Sequence, residues 1–401
     1  MSKKAKQEKW IKPRHKVITT LAKGILKPYV IMKYGVDIIP FKEEGNRPYL
    51  ILMNHQTPFD QFFVGLTFKQ PIYYLATEDI FSLGFISKLL RWAVNPIPIR
   101  KQTTDILAVK NCIKVAKEGG SIAICPEGNR TYSGQTLYMS PTIASLAKKI
   151  KLPIAFLRIE GGYGIEPRWA EESRKGKMKS YISKVLEPEE YLTLSNDELF
   201  AIIEKELYVN EACVDGEYHH PHRAEYLERL FYVCPDCGLT TFESHDHIVT
   251  CKQCGKQIAY ETTKEFKGIN HEFPYRFVLD WYNYQEEFIN QLDVMQYVNT
   301  SMFEDVAQLS EVIVYERKNI LRPEAKIALF GNKIAIDNDL ILSFDDISAI
   351  SVLGKNKMNI YHGKNIYQVK GSKRFNAVKY VNIYYRYNNI RGEKDGKFLG
   401  L

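Results

Sequence analysis

No apolar stretch in this 401-residue chain approaches the roughly 20 residues that cross a bilayer. The N-terminus also lacks a secretory leader's apolar core and small-residue cleavage site. The chain is therefore expected in the cytoplasm, peripheral on the inner face of a membrane. Cysteine is scarce: seven residues, four of them in two CxxC pairs. That usage points to reduced thiols and a metal, not to a disulfide scaffold. Acids are almost missing from the first thirty positions, where nine Lys or Arg face the single acid Glu8. The net charge of +8 thus sits on that arm, and the remainder is near neutral. Interleaved with Trp10, Val17, Ile18, Leu21, Ile25 and Leu26, the arm suits an anionic membrane surface better than nucleic acid.

Two short motifs carry chemistry. Leu50-Ile51-Leu52-Met53 runs into Asn54-His55-Gln56-Thr57-Pro58-Phe59-Asp60, and Ser121-Ile122-Ala123-Ile124-Cys125 runs into Pro126-Glu127-Gly128-Asn129-Arg130. Each apolar run has the length and composition of a buried parallel strand. Both motifs therefore fall where strands end, the place where open α/β sheets bind ligands. Thr57 is suited to cap a helix starting at Pro58, which needs no backbone donor there. Asp60 would then reach back to one ring nitrogen of His55 and leave the other as a general base. The motif offers no Ser or Cys nucleophile, so the hydroxyl to be activated should belong to a substrate. Glu127 and Arg130 add a carboxylate and a forked cation beyond a Gly-permitted bend at Gly128.

His-x4-Asp followed by Pro-Glu-Gly-x-Arg resembles the glycerolipid acyltransferases, in particular the 1-acylglycerol-3-phosphate acyltransferases. Asn54, His55 and Asp60 match that family's first block, and Pro126, Glu127, Gly128 and Arg130 its third. Asn95-Pro96-Ile97-Pro98-Ile99-Arg100 matches the second more loosely, and Leu152-Pro153-Ile154-Ala155-Phe156 corresponds to the fourth. Asn129 stands where Thr or Ser is common, a mild departure. The likeness covers roughly residues 15 to 205. It implies transfer of a fatty acyl group from acyl-CoA or acyl carrier protein to a lysophospholipid hydroxyl, foremost 1-acylglycerol-3-phosphate. Another lysolipid acceptor, or a non-catalytic role in membrane recruitment, is the alternative. His55 would be the base and Asp60 its orienter, with Arg100, Glu127, Gly128 and Arg130 around the glycerol-phosphate head.

The expected architecture is α/β, a mainly parallel sheet flanked by helices, because strands and helices alternate along the first half. Strands are expected at 36–40, 49–53, 72–76, 121–125 and 153–159, with helices from Pro58, Asp105, Pro141 and Asn196. Phe81, Phe85, Leu89 and Trp92 recur at helical spacing with Lys88 and Arg91 between, which fits an interfacial helix or, as the alternative, a helix buried against the sheet. Residues 1–30 form the basic arm and 31–210 the acyltransferase-like domain. Within 225–262, Cys234, Cys237, Cys251 and Cys254 form two knuckles thirteen residues apart, each followed by Gly. The unit resembles a zinc ribbon, with structural zinc expected; its charge does not favour nucleic acid. Residues 263–310 read as a helical linker whose aromatics are core. Residues 311–390 read as a β-rich domain closed by a helix, resembling a pleckstrin-homology barrel.

Overall fold

A computed structural model describes residues 9–77, 80–99, 105–313, 316–337 and 339–392. The chain divides into two compact units. The first comprises Met1–Gly128, Met139–Ile159 and Lys179–Tyr208, and the second Asn129–Tyr138, Glu160–Met178 and Val209–Leu401.

The first unit is built on seven strands: β1 (Val36–Ile38), β2 (Leu50–Met53), β3 (Ile72–Thr77), β4 (Ile97–Ile99), β5 (Ser121–Ile124), β6 (Ile154–Glu160) and β7 (Met178–Leu186). Their order across the sheet is β1-β7-β6-β2-β5-β3-β4. Strand β2 is central, parallel to both neighbours, with Leu50 opposite Ile122 on β5 and Ile154 on β6. All four of its side chains are buried. Because neighbouring side chains point to opposite faces, both faces must be covered, which is why the strand reads as an unbroken apolar run. On one face Leu50, Leu52, Ile122, Ile124, Ile154 and Phe156 share a core with Cys112, Val115, Ala144, Ala147, Leu199 and Ile203. Each large aliphatic buried there contributes about 1.5–3 kcal/mol. The helices supplying that cover have local causes. Asp105 accepts from Ala108 N at 3.0 Å to start Ile106–Lys117, and Ser195 with Glu198 forms a capping box for Asn196–Leu207. β4 and β7, the latter only partly buried, were not expected from the sequence.

Helix α1 (Pro13–Tyr34) starts with Pro at its first position and stops at Gly35, in the left-handed conformation with φ 58°. Its Val17, Leu21, Ile25 and Met32 are exposed, as are Phe85, Ile86, Leu89 and Trp92 on the helix Phe85–Ala93. Arg14 of α1 lies over the Trp92 ring at 5.4 Å and donates through Nε to Trp92 O at 2.9 Å, so the two helices meet. No helix among the described residues is long and apolar enough to cross a membrane.

In the second unit, the first cysteine knuckle turns between the paired strands Val233–Cys234 and Gly238–Leu239, and the second follows from the strand Ile248–Cys251 of a four-stranded antiparallel sheet (Phe242–His245, Ile248–Cys251, Gln257–Tyr260, Phe266–Gly268). Trp281 stacks on Phe231 at 3.8 Å and meets Phe242, Phe266 and Phe273 edge-on, so it is core, whereas Phe277, Tyr284 and Phe288 on the same stretch are only partly buried. Within 263–310 the α-helix is confined to Val278–Gln291, and a strand already begins at Phe303. Seven antiparallel strands between Phe303 and Gly371 follow, the first pairing with the last (Ala307 opposite Gly371). The helix Val378–Arg391 closes them, with Tyr384 donating to Ile347 O at 2.7 Å. Four strands, then three, then one helix form a half-barrel sheet closed by a helix. A single buried cluster runs from Tyr132 and Trp169 through the ribbon into this closing helix.

Candidate active site

His55 stands immediately past the end of β2. Its Nδ1 lies 2.8 Å from Asp60 Oδ2. A carboxylate only accepts, so Nδ1 carries the proton and the neutral ring bears its basic lone pair on Nε2. Asp60 is fully buried and receives Gln56 N at 2.6 Å, Thr57 N at 3.0 and 3.1 Å, and Thr57 Oγ1 at 2.7 Å. These bonds change the expected helix start. The helix runs Asp60–Thr67 rather than from Pro58, because the Asp60 carboxylate folds back on the Gln56-Thr57 turn and holds those residues out of the helix. Thr57 serves that turn, its Oγ1 also accepting from Phe59 N at 3.1 Å.

Two further clamps hold the imidazole at the strand end. Asn54 exchanges a pair of 2.8 Å hydrogen bonds with the backbone of Ile159, locking the end of β2 to β6. Glu127, buried beyond β5, accepts His55 N through Oε1 at 2.9 Å. The carboxylate expected to face substrate is thus also a brace between the two motifs, which spacing alone did not disclose. Gly128 makes that brace possible: its φ of 69° lies where side-chain-bearing residues are strained, and its N–H closes the turn onto Cys125 O at 3.0 Å. Desolvation, with the Asp60 and Glu127 charges beside it, pushes the Cys125 thiol well up, so it is no thiolate nucleophile. Gln56 was missed by sequence reasoning. It is fully buried, and neither atom of its carboxamide has a hydrogen-bond partner among the described residues.

The structure therefore gathers His55, Asp60, Glu127 and Gly128. Arg130 belongs to the second unit, where it is buried and its carbonyl accepts from Arg168. Arg100 and the first eight residues of the basic arm lie outside the described residues.

The ribbon cysteines do converge. One ligand atom from each of Cys234, Cys237, Cys251 and Cys254 falls within 4.8 Å of the others, and the Cys234 and Cys254 sulfurs are 3.9 Å apart. Tetrahedral thiolates at zinc–sulfur distances stand ~3.8 Å apart, so the group fits one metal ion. Gly238 (φ 72°) and Gly255 (φ 73°) supply the left-handed residue after each knuckle. In the histidine run 219–222, His222 pairs with Asp246 at 2.6 Å, with a Glu225 carboxylate oxygen within 4.8 Å of both, and His220 pairs with Glu172 at 2.9 Å.

Residues 31–160 match the family model described as Acyltransferase. Over 137 residues the chain is 28% identical to the 1-acyl-sn-glycerol-3-phosphate acyltransferase of Bacillus subtilis (strain 168). That match spans 34% of this chain and 65% of the relative's own length. Among solved structures, the 1-acyl-sn-glycerophosphate (LPA) acyltransferase PlsC of Thermotoga maritima aligns over 48% of this chain and 78% of its own, at 18% identity and a TM-score of 0.40.

Proposed function

We propose that the chain is a glycerolipid acyltransferase that moves a fatty acyl group from acyl-CoA or acyl carrier protein to the free hydroxyl of 1-acylglycerol-3-phosphate. The observation that carries this reading is the His55–Asp60 pair, 2.8 Å apart at the strand end and held from behind by Glu127. Nε2 of His55 takes the proton of the acceptor hydroxyl as its oxygen attacks the thioester carbonyl carbon. The carbon–sulfur bond then breaks, and the imidazolium returns that proton to the departing thiolate. Asp60 stabilises the imidazolium between the two steps. With Cys125 held as a thiol, transfer is direct, without an acyl-enzyme on sulfur. Arg130 and Arg100 grip the acceptor phosphate, whose geometry favours the forked guanidinium.

The exposed apolar side chains of α1 and of Phe85–Ala93, with Lys16, Lys27, Lys88 and Arg91 on the same helices, support docking on an anionic bilayer from the cytoplasmic side. Vesicle flotation with and without anionic lipid tests this. Zinc on the four cysteines is structural in this reading, because so small a unit has little core of its own.

The decisive assay is labelled acyl thioester with a panel of lysolipid acceptors, using full-length protein in detergent. Phosphatidic acid should form with the wild type, and His55→Ala should abolish it with melting behaviour and metal content retained. Wild-type rates in purified His55→Ala would overturn the assignment.

A further inference from the structure

Arg168 is a buried guanidinium with no carboxylate partner among the described residues. Its donors end instead on backbone carbonyls from two distant segments. Nη1 donates to Arg130 O at 3.0 Å, Nη2 to Val352 O at 3.1 Å, and Nε reaches Gly354 O at 3.5 Å. Its guanidinium carbon stands 4.1 Å from the centre of the Tyr132 ring. Burying an unpaired cation is costly, and here the burial lowers its proton affinity. Such a cost persists where the fork does what no neutral or single-point donor can. Val352 lies in the strand Ile347–Leu353 of the C-terminal half-barrel, and Gly354 begins the turn after it. The same turn carries Lys355, whose Nζ is 3.6 Å from both Glu166 and Glu171 carboxylates. Glu171 in turn accepts from Arg229, which also donates to Trp169 O at 2.8 Å. Arg229 donates to Lys373 O as well, so segment 160–178, which follows β6, is stitched to the C-terminal domain by Arg168, Lys355 and Arg229, and Arg168 alone carries segment 129–138 with it.

We propose that Arg168 is a positioning residue for Arg130: it ties the Arg130 loop to the Val352–Gly354 turn, so that the C-terminal half-barrel sets the grip on the acceptor phosphate. This rests on the acceptor role of Arg130 proposed above. A forked donor joined to two carbonyls in different segments fixes both, whereas a lysine keeps the charge but bridges them with one point. Loosening Arg130 weakens binding of acceptor equally in ground and transition states, which appears in KM and not in kcat.

The test compares Arg168→Lys with wild type in full-length protein. The expected result is an acceptor KM for 1-acylglycerol-3-phosphate raised on the order of tenfold, with kcat and the donor KM within about twofold. Combined with Arg130→Lys the effects should be less than additive, because Arg168 acts through Arg130. Amide hydrogen exchange supplies a readout independent of turnover: residues 129–138 and 350–356 should exchange faster together, with 242–260 unchanged. If Arg168→Lys folds poorly, Arg168→Met keeps the stem against Tyr132 and is read the same way. Unchanged exchange in 129–138 would overturn the tie. Faster exchange with an unchanged acceptor KM, or strict additivity, would overturn the positioning role. Wild-type protein that acylates no phosphate-bearing lysolipid would remove the proposed function and with it the acceptor role of Arg130, while exchange would still report the tie.

Discussion

Replacing Asp60 and replacing His55 should both stop acyl transfer, yet they should differ sharply in stability. Asp60 accepts from four donors: His55 Nδ1, Gln56 N, Thr57 N and Thr57 Oγ1. In Asp60→Ala the Thr57 hydroxyl can rotate, but Gln56 N and Thr57 N stay buried with no acceptor. Each orphaned buried amide costs about 1–3 kcal/mol, so the variant should lose about 4 kcal/mol. For a unit of this size that lowers the melting midpoint by roughly 10 °C. His55→Ala removes one donor from a carboxylate that keeps three others, and the His55 side chain is already 24% exposed. Its cost should stay near about 1 kcal/mol. Asp60→Asn keeps the shape but sets an amide donor against donors, and should cut kcat on the order of 10²–10⁴-fold. Thermal or urea unfolding of the three variants beside acyl transfer decides the matter. Equal unfolding midpoints for Asp60→Ala and His55→Ala would refute the reasoning, as would full activity in Asp60→Asn.

Gln56→Met should stabilise the first unit by about 1–2 kcal/mol in denaturant unfolding, because it removes a buried carboxamide that has no partner; a loss of transfer alongside would show that the amide is kept for substrate. One zinc per chain should be found by elemental analysis, and Cys251→Ser or a strong chelator should lower the melting temperature of the second unit without altering the His55–Asp60 site. Burial pushes the Glu286 carboxyl up to about 7, with a bond from Tyr282 opposing. Its folded form prefers the proton more than the unfolded chain does, so stability is full below the ordinary carboxylate range and falls as pH rises from about 4.5 to 7. Glu286→Gln should therefore flatten that slope and stabilise the second unit at pH 8 by up to about 3 kcal/mol in denaturant titrations.

How much of this was legible in advance depended on the range of the interactions. Strand β2 announced itself because burial on both faces forces every residue to be apolar. β7 did not, since its half-exposed pattern Met178–Leu186 matches neither a clean alternation nor an apolar run. The His55–Asp60 pair spans five residues and one turn, so spacing and capping rules were enough to join them. The same rules put the helix start at Pro58, because they weigh one residue's capping preference and cannot see three donors converging on Asp60. Glu127's bond to His55 N crosses 72 residues and depends on β2 and β5 being sheet neighbours, a fact of topology and not of pattern.

The C-terminal lysines and arginines show where residue type stops being informative. Lys355 and Arg374 sit among basic residues whose default reading is a solvated face. In the folded chain Lys355 meets Glu166 and Glu171, and Arg374 meets Glu225 and Glu228. A cation's neighbours along the chain say little about its partners when those partners are more than a hundred residues away. Arg168 is the extreme case, since all three of its acceptors are backbone carbonyls, which every residue owns and no sequence pattern marks. The His55–Asp60 pair is written locally and can be read from a motif. The arginine proposed to hold the acceptor is written locally too, but what holds that arginine depends on a strand more than two hundred residues further on, which a short motif has no means to encode.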